Sequence, residues 1–224
     1  MPDRTDPRET EPRPLTVEES SLRRRPTPRF DPARGLAPEL LERLLRSATL
    51  APSPYELQPW RFLVVREPAG RRRLQACAGN QPEVGRAPVV VVVLGFHHPE
   101  RSHLEALLTM RIESGECSPE RAAAIRGRAR SGLRDLFDRE LWATRPAMLA
   151  AATLMLAAES LGVASALIEG FDAEAVRREF GVPDDHAVCG LVALGFADVE
   201  GPPPPRFGLD EVAFAEHFGR PWAP

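Results

Sequence analysis

The sequence predicts an α/β (α+β) sandwich with a central sheet, on three observations. Pro88–Gly95 (PVVVVVLG) is a near-continuous β-branched run, as expected of a strand buried on both faces. Helical and strand-like segments interleave along the chain, which favours a sheet with helices packed on it. At 224 residues the chain is long enough to bury a sizeable core as a single domain with appendages.

Residues 38–50 (PELLERLLRSATL) carry Leu40, Leu41, Leu44, Leu45 and Ala48 on one helical stripe, with Pro38 suited to the first turn. The loop APSPYELQPW follows, and Arg61–Arg66 (RFLVVR) reads as a strand. Pro68–Ala78 reads as a short basic helix and 99–131 as one or two arginine-rich helices, broken near Gly115–Pro119. Residues 133–162 hold a long helix that stops at Gly162. Its run Pro146–Ala158 (PAMLAAATLMLAA) is shorter than the ~20 residues of a bilayer span and apolar nearly all round, so it needs cover on more than one side, from the rest of the chain or in part from a second subunit. Ala164–Ile168 is a short extended piece, Asp172–Phe180 a helix with Asp172 as N-cap, and Val188–Phe196 a buried strand. The tail opens on a polyproline spacer and ends in an aromatic-rich segment that must pack on something. Residues 1 to about 16, charged and proline-rich, read as a disordered leader, and 17–224 as the domain.

The formal net charge of −3 argues against a nucleic-acid or membrane-surface binder. All 29 basic residues are arginine, which excludes Schiff-base and P-loop lysine chemistry. No GxGxxG, GxxxxGK[ST] or GxSxG occurs. Cys77, Cys117 and Cys189 fit neither a redox pair nor a zinc framework, and as structural or surface thiols they point to a cytoplasmic location. His97, His98 and His103 lie close together in sequence without a completing carboxylate; they read as surface histidines, and no metal site is expected.

Three polar segments remain. Arg23–Phe30 clusters arginines ahead of the first predicted helix, either a solvated patch or an anion site whose guanidinium forks suit phosphate oxygens. Ala51–Phe62 (APSPYELQPWRF) is a stiff polar loop, a connector or a ligand contact in which Pro52 and Pro54 fix the backbone. Ile168–Asp172 (IEGFD) places a glycine after a strand, where it makes a plain left-handed turn or lets the backbone approach a flat ligand.

In this order, RRPTPRF (24–30), APSPYELQPWRF (51–62), PVVVVVLG (88–95), LWATRPAM (141–148), ALIEGFD (166–172) and PPRFGLDEV (204–212) resemble the nitroreductase family of FMN-dependent oxidoreductases. The resemblance runs from about Leu22 to Trp222, and QPWRF and EGFD at this separation make it specific. It implies a mixed central sheet flanked by helices, in an intertwined homodimer with FMN at the subunit interface and a C-terminal arm packed on the partner. Arg24, Arg25 and Arg206 would hold the phosphate. Ser53 and Gln58, within the loop of Pro52 and Pro54, would lie by the ribityl chain or ring edge, and the backbone at Ile168, Glu169 and Gly170 would face the flavin. No acid–base residue is required, because the cofactor carries the chemistry: NAD(P)H reduces FMN, and a nitroaromatic or quinone then takes the electrons, ping-pong fashion.

Against the family pattern, Pro26 and Pro28 replace a serine and a basic residue, Glu56 an asparagine, and Pro204 a lysine. A carboxylate accepts hydrogen bonds without donating any, so Glu56 is expected to weaken FMN binding or lower its potential. The alternative reading is a flavin-free or weakly flavin-binding, non-catalytic module on the same fold.

Overall fold

The computed structural model describes residues 13–199 and 202–223. The expected leader lies outside these residues as far as position 12. At its end Leu15 is tied down: its N–H donates to the Ser160 carbonyl at 3.2 Å and its carbonyl accepts from Ser160 Oγ at 2.9 Å.

The β-branched run is strand β2 (Val89–Phe96), buried along most of its length. It pairs with β1 (Trp60–Val65) on one side and β4 (His186–Gly195) on the other, and β3 (Ala164–Ile168) lies beyond β4. These pairings are all antiparallel. The sheet's parallel component is the bridge from Pro26 to Ser165, which lays residues 24–28 along the outer edge of β3. Thr27 N–H donates inward to the Ser165 carbonyl at 3.3 Å. Amides alternate in direction along an extended segment, so the outward positions are 26 and 28. Both are proline, and this edge offers no outward donor there.

Strand alternation sorts β2 between two cores. Val89, Val91 and Val93 face helices α2 (Pro38–Ala48) and α8 (Arg139–Ser160), where Leu41, Leu44, Ala147, Ala151 and Leu154 complete the packing. Val90, Val92 and Leu94 face the other side, packed with Leu74 of α3 (Pro68–Cys77), Val84 of α4 (Pro82–Arg86) and Val176 of α9 (Ala173–Phe180). Asp172 caps α9, its carboxylate accepting from Ala175 N–H at 2.9 Å. Gly162, at φ 71°, follows the end of α8 in the left-handed conformation that closes a helix.

The sequence did not announce helix α1 (Val17–Arg23), although Thr16 and Glu19 form a reciprocal capping box there. The 99–131 region is α5 (Pro99–Ser102), α6 (Leu104–Glu113) and α7 (Pro119–Arg134), interrupted between 114 and 118 as expected. It has a core of its own in Leu104, Leu108, Ala122, Ile125, Ala129 and Leu133. The long helix begins later than residue 133, because Asp138 caps it by accepting from Leu141 N–H at 2.7 Å.

Helix α8 has 22 residues, enough by length and composition to cross a bilayer, yet its inner face packs on α2 and the sheet. Its outer face is a stripe at helical spacing: Leu141, Arg145, Leu149 and Ala152 are exposed and Leu156 is partly so. The tail carries α10 (Leu209–Val212) and a small hairpin closed by Trp222 N–H donating to the Ala213 carbonyl at 2.9 Å. Among the described residues the tail's backbone hydrogen bonds from 208 onward stay within the tail. Phe207, Leu209, Val212, Phe218 and Trp222 all face solvent in this single chain.

Candidate functional site

The segments singled out in the sequence fall into two groups on opposite edges of the sheet. One follows β3. Arg24 caps the C-terminus of α1 and is half-buried, and among the described residues its guanidinium has no hydrogen-bonding or ionic partner. Arg25 donates through Nη1 to the Arg24 carbonyl at 3.1 Å and to that of Leu22, which turns it back toward α1 while Nε and Nη2 keep their donors. Pro26 and Pro28 are exposed, whereas Thr27 and Phe30 are buried.

Ile168 ends β3 in the core, and Glu169 and Gly170 emerge exposed. Gly170 does not adopt the left-handed conformation of a plain turn. Its carbonyl accepts from Gln81 Nε2 at 2.7 Å, and an added Cβ would lie 3.2 Å from that nitrogen. Among the described residues, the backbone N–H groups of Glu169 and Gly170 find no acceptor. Two adjacent unsatisfied donors at a strand end form a ready seat for an acceptor-rich ligand edge.

The other group surrounds β1. Pro52, Pro54 and Glu56 are exposed, and Ser53 and Gln58 half-buried. Ser53 Oγ accepts from Gln58 N–H at 3.0 Å, which folds the loop back on itself and leaves both the hydroxyl proton and the Gln58 carboxamide available. Tyr55, Glu56 and Gln58 have φ values of 56°, 58° and 47°. Three non-glycine residues in this region cost of order 1–3 kcal/mol each and persist only where the surroundings hold them.

The two groups do not converge within one chain. Strands β2 and β4 separate them, roughly 14 Å at ~4.8 Å per strand spacing. The ground at that end of the sheet is filled by Phe96, which stacks on His186 with centroids 4.8 Å apart and lies under the Arg61 guanidinium at 5.3 Å. Arg206, in the tail, is exposed and donates to the carbonyl of its neighbour Pro205 at 3.3 Å. His97, His98 and His103 are half-buried rather than on the surface. Burial lowers the His97 pKa below the ordinary histidine value. Among the described residues no group of three His, Cys, Asp or Glu side chains converges as a metal site requires.

The two edges of this helix-flanked α+β sheet thus present exposed donors at the end of β3 and a stiff proline loop at the start of β1. The nitroreductase family's sequence profile matches residues 22–196, and the chain belongs to that family. It is 35% identical over 201 residues to an NADH dehydrogenase of Thermus thermophilus, spanning 88% of this chain and 95% of that protein. It is 26% identical over 191 residues to an oxygen-insensitive NAD(P)H nitroreductase of Salmonella typhimurium, 80% and 88% of the two chains. Among solved structures, a nitroreductase-like protein of Streptococcus mutans superposes with a TM-score of 0.81 at 26% identity, over 88% and 97% of the chains. A protein of Exiguobacterium sibiricum described as a nitroreductase, solved in complex with FMN, superposes at 0.82 over 92% and 100%; at 24% identity it speaks for the fold.

Proposed function

We propose that this chain is an FMN-dependent oxidoreductase that takes electrons from NAD(P)H and passes them to a small acceptor such as a nitroaromatic or quinone. It works as a homodimer in which each cofactor site is assembled from two subunits. The observation that carries this reading is the division of the candidate residues between the β3 and β1 edges, in a chain that also exposes a leucine stripe on α8 and an aromatic tail. A second copy, packed through those apolar surfaces, would bring the β1 loop of one subunit to the β3 edge of the other. Its three free cysteines accord with a cytoplasmic location.

The residues present fit FMN in kind. Arg24, with Arg206 from the tail, would hold the phosphate. The Glu169 and Gly170 N–H groups would donate to the ring edge, and Ser53 and Gln58 would contact the ribityl chain or ring. When bound, FMN supplies two-electron transfer between nicotinamide and acceptor. The protein's part is to seat it, to hold water away and to fix hydrogen-bond donors in advance.

Glu56 is exposed, and among the described residues its carboxylate has no partner. Replacing it with asparagine, which tolerates the left-handed conformation better and can donate, is expected to tighten FMN binding by about 1 kcal/mol, roughly five-fold. A fluorescence titration in which Glu56→Asn and the parent bind FMN equally would remove Glu56 from the site. The whole reading is tested by anaerobic mixing of the purified protein with NADH and with NADPH. Bleaching of a bound yellow chromophore supports it. A colourless protein that added FMN does not restore supports the non-catalytic module instead, the reading favoured by the donors lost at Pro26 and Pro28.

A further inference from the structure

We infer that His103 is a positioning residue for the cofactor loop, through which the seating of α5–α7 sets the conformation of residues 53–58. The inference rests on the proposal that this loop contacts FMN. The loop's left-handed run through Tyr55, Glu56 and Gln58 is not held by its own sequence, since none of these is glycine and only Ser53 ties it internally from a side chain. Three further holds come from the helical region. The Leu57 side chain is fully buried among Leu104, Leu108, Ala129 and Leu133. The Tyr55 hydroxyl lies against Gly132 of α7, where an added Cβ would stand 2.6 Å from it. His103, between α5 and α6, bonds through Nδ1 to the Leu57 carbonyl at 2.7 Å.

The partners fix the state of His103. The Leu57 carbonyl can only accept, so Nδ1 carries the proton. The Arg61 guanidinium can only donate, so Nε2, 2.6 Å from Arg61 Nη2, must be the accepting nitrogen of a neutral ring. Arg61 is anchored in turn on the Trp60 carbonyl at 2.8 Å. His103 therefore bridges the loop, the first residues of β1 and the helical region with one planar side chain. No other side chain in the chain satisfies the Leu57 carbonyl among the described residues.

The test compares His103→Leu, which removes both bonds, with His103→Gln, whose carboxamide keeps one donor and one acceptor. FMN dissociation constants and exchange of the amide hydrogens of Ser53 and residues 55–58 in the flavin-free protein are measured, with the thermal midpoint of each variant as the control for general damage. His103→Leu is expected to weaken FMN binding ten-fold or more and to speed exchange across the loop, and His103→Gln to recover most of both. If His103→Leu binds FMN and protects the loop as the parent does, the inference is overturned. So it is if both variants lose FMN in proportion to a fall in thermal midpoint, which marks a merely structural role. If exchange responds as stated but the parent itself binds no FMN, the positioning of the loop stands and the proposed function fails.

Discussion

Leu149→Glu is expected to convert the proposed dimer into a monomer that holds no flavin. Leu149 sits midway along the outer stripe of α8, about half exposed in the single chain, between Leu141 and Leu156. Burying the exposed half of this leucine against a second copy contributes roughly 0.7–1.5 kcal/mol per subunit. A carboxylate in its place could pair with Arg145 one turn away, but both would then be desolvated in a two-fold interface that presents them twice, at several kcal/mol per buried charge. Sedimentation equilibrium reads the change directly, and the flavin absorbance of the monomer fraction should fall with it. A variant that stays dimeric and yellow would place the subunit contact elsewhere. Because the stripe contributes little to the chain's own core, far-ultraviolet circular dichroism should remain that of the parent.

Arg139→Ala is expected to be the most damaging single substitution to the fold of the helical region. Arg139 begins α8, and its guanidinium closes on Glu100 at 2.9 Å, on the His97 carbonyl at 3.1 Å and on the Leu133 carbonyl. The two ends of the 99–138 region are thereby joined by one ion pair whose side chains are only 20% and 12% exposed. Among the described residues, removing the arginine leaves Glu100 facing His98 Nδ1 at 3.6 Å as its remaining ionic neighbour, with its other oxygen already unpartnered. Breaking a buried pair in this way costs about 3–5 kcal/mol, and a domain of this size then melts about 6–20 °C lower. Arg139→Lys, which keeps the charge and loses the planar fork, should recover part of the loss. A thermal midpoint within 2 °C or so of the parent would show that the pair is dispensable.

Much of the fold is legible in local sequence because its signals are local. The five valines from Val89 to Val93 can only be a strand covered on both faces, and they divide between the two cores residue by residue. The α2 stripe and the Asp172 cap likewise depend on spacing alone. Helix α1 is the exception: its one local signal, the Thr16–Glu19 box, stands in a polar stretch with no apolar stripe to announce a helix. What sequence could not supply is tertiary hold. Nothing in PYELQ announces left-handed Tyr55, Glu56 and Gln58, since that conformation exists because Leu57, Gly132 and His103 impose it. The three histidines looked like surface residues, and two of them instead lie beside Phe96 and Arg139 in the packing at the sheet's end. The candidate site was legible as a set of segments but not as an arrangement. Arg25 turns back on α1, and the remaining residues lie on two edges that a single chain keeps apart.

That separation allows a direct test of the composite site. Two variants are made, Arg24→Glu on the β3 side and Gln58→Glu on the β1 side, each expected to bind little FMN alone. The two chains are then expressed together and the mixed dimers isolated by different affinity tags. In a mixed dimer one site receives both lesions and the other receives neither, so flavin content should reappear although each parent variant lacks it. Mixed dimers that stay as colourless as the two variants would contradict a cofactor site shared between subunits.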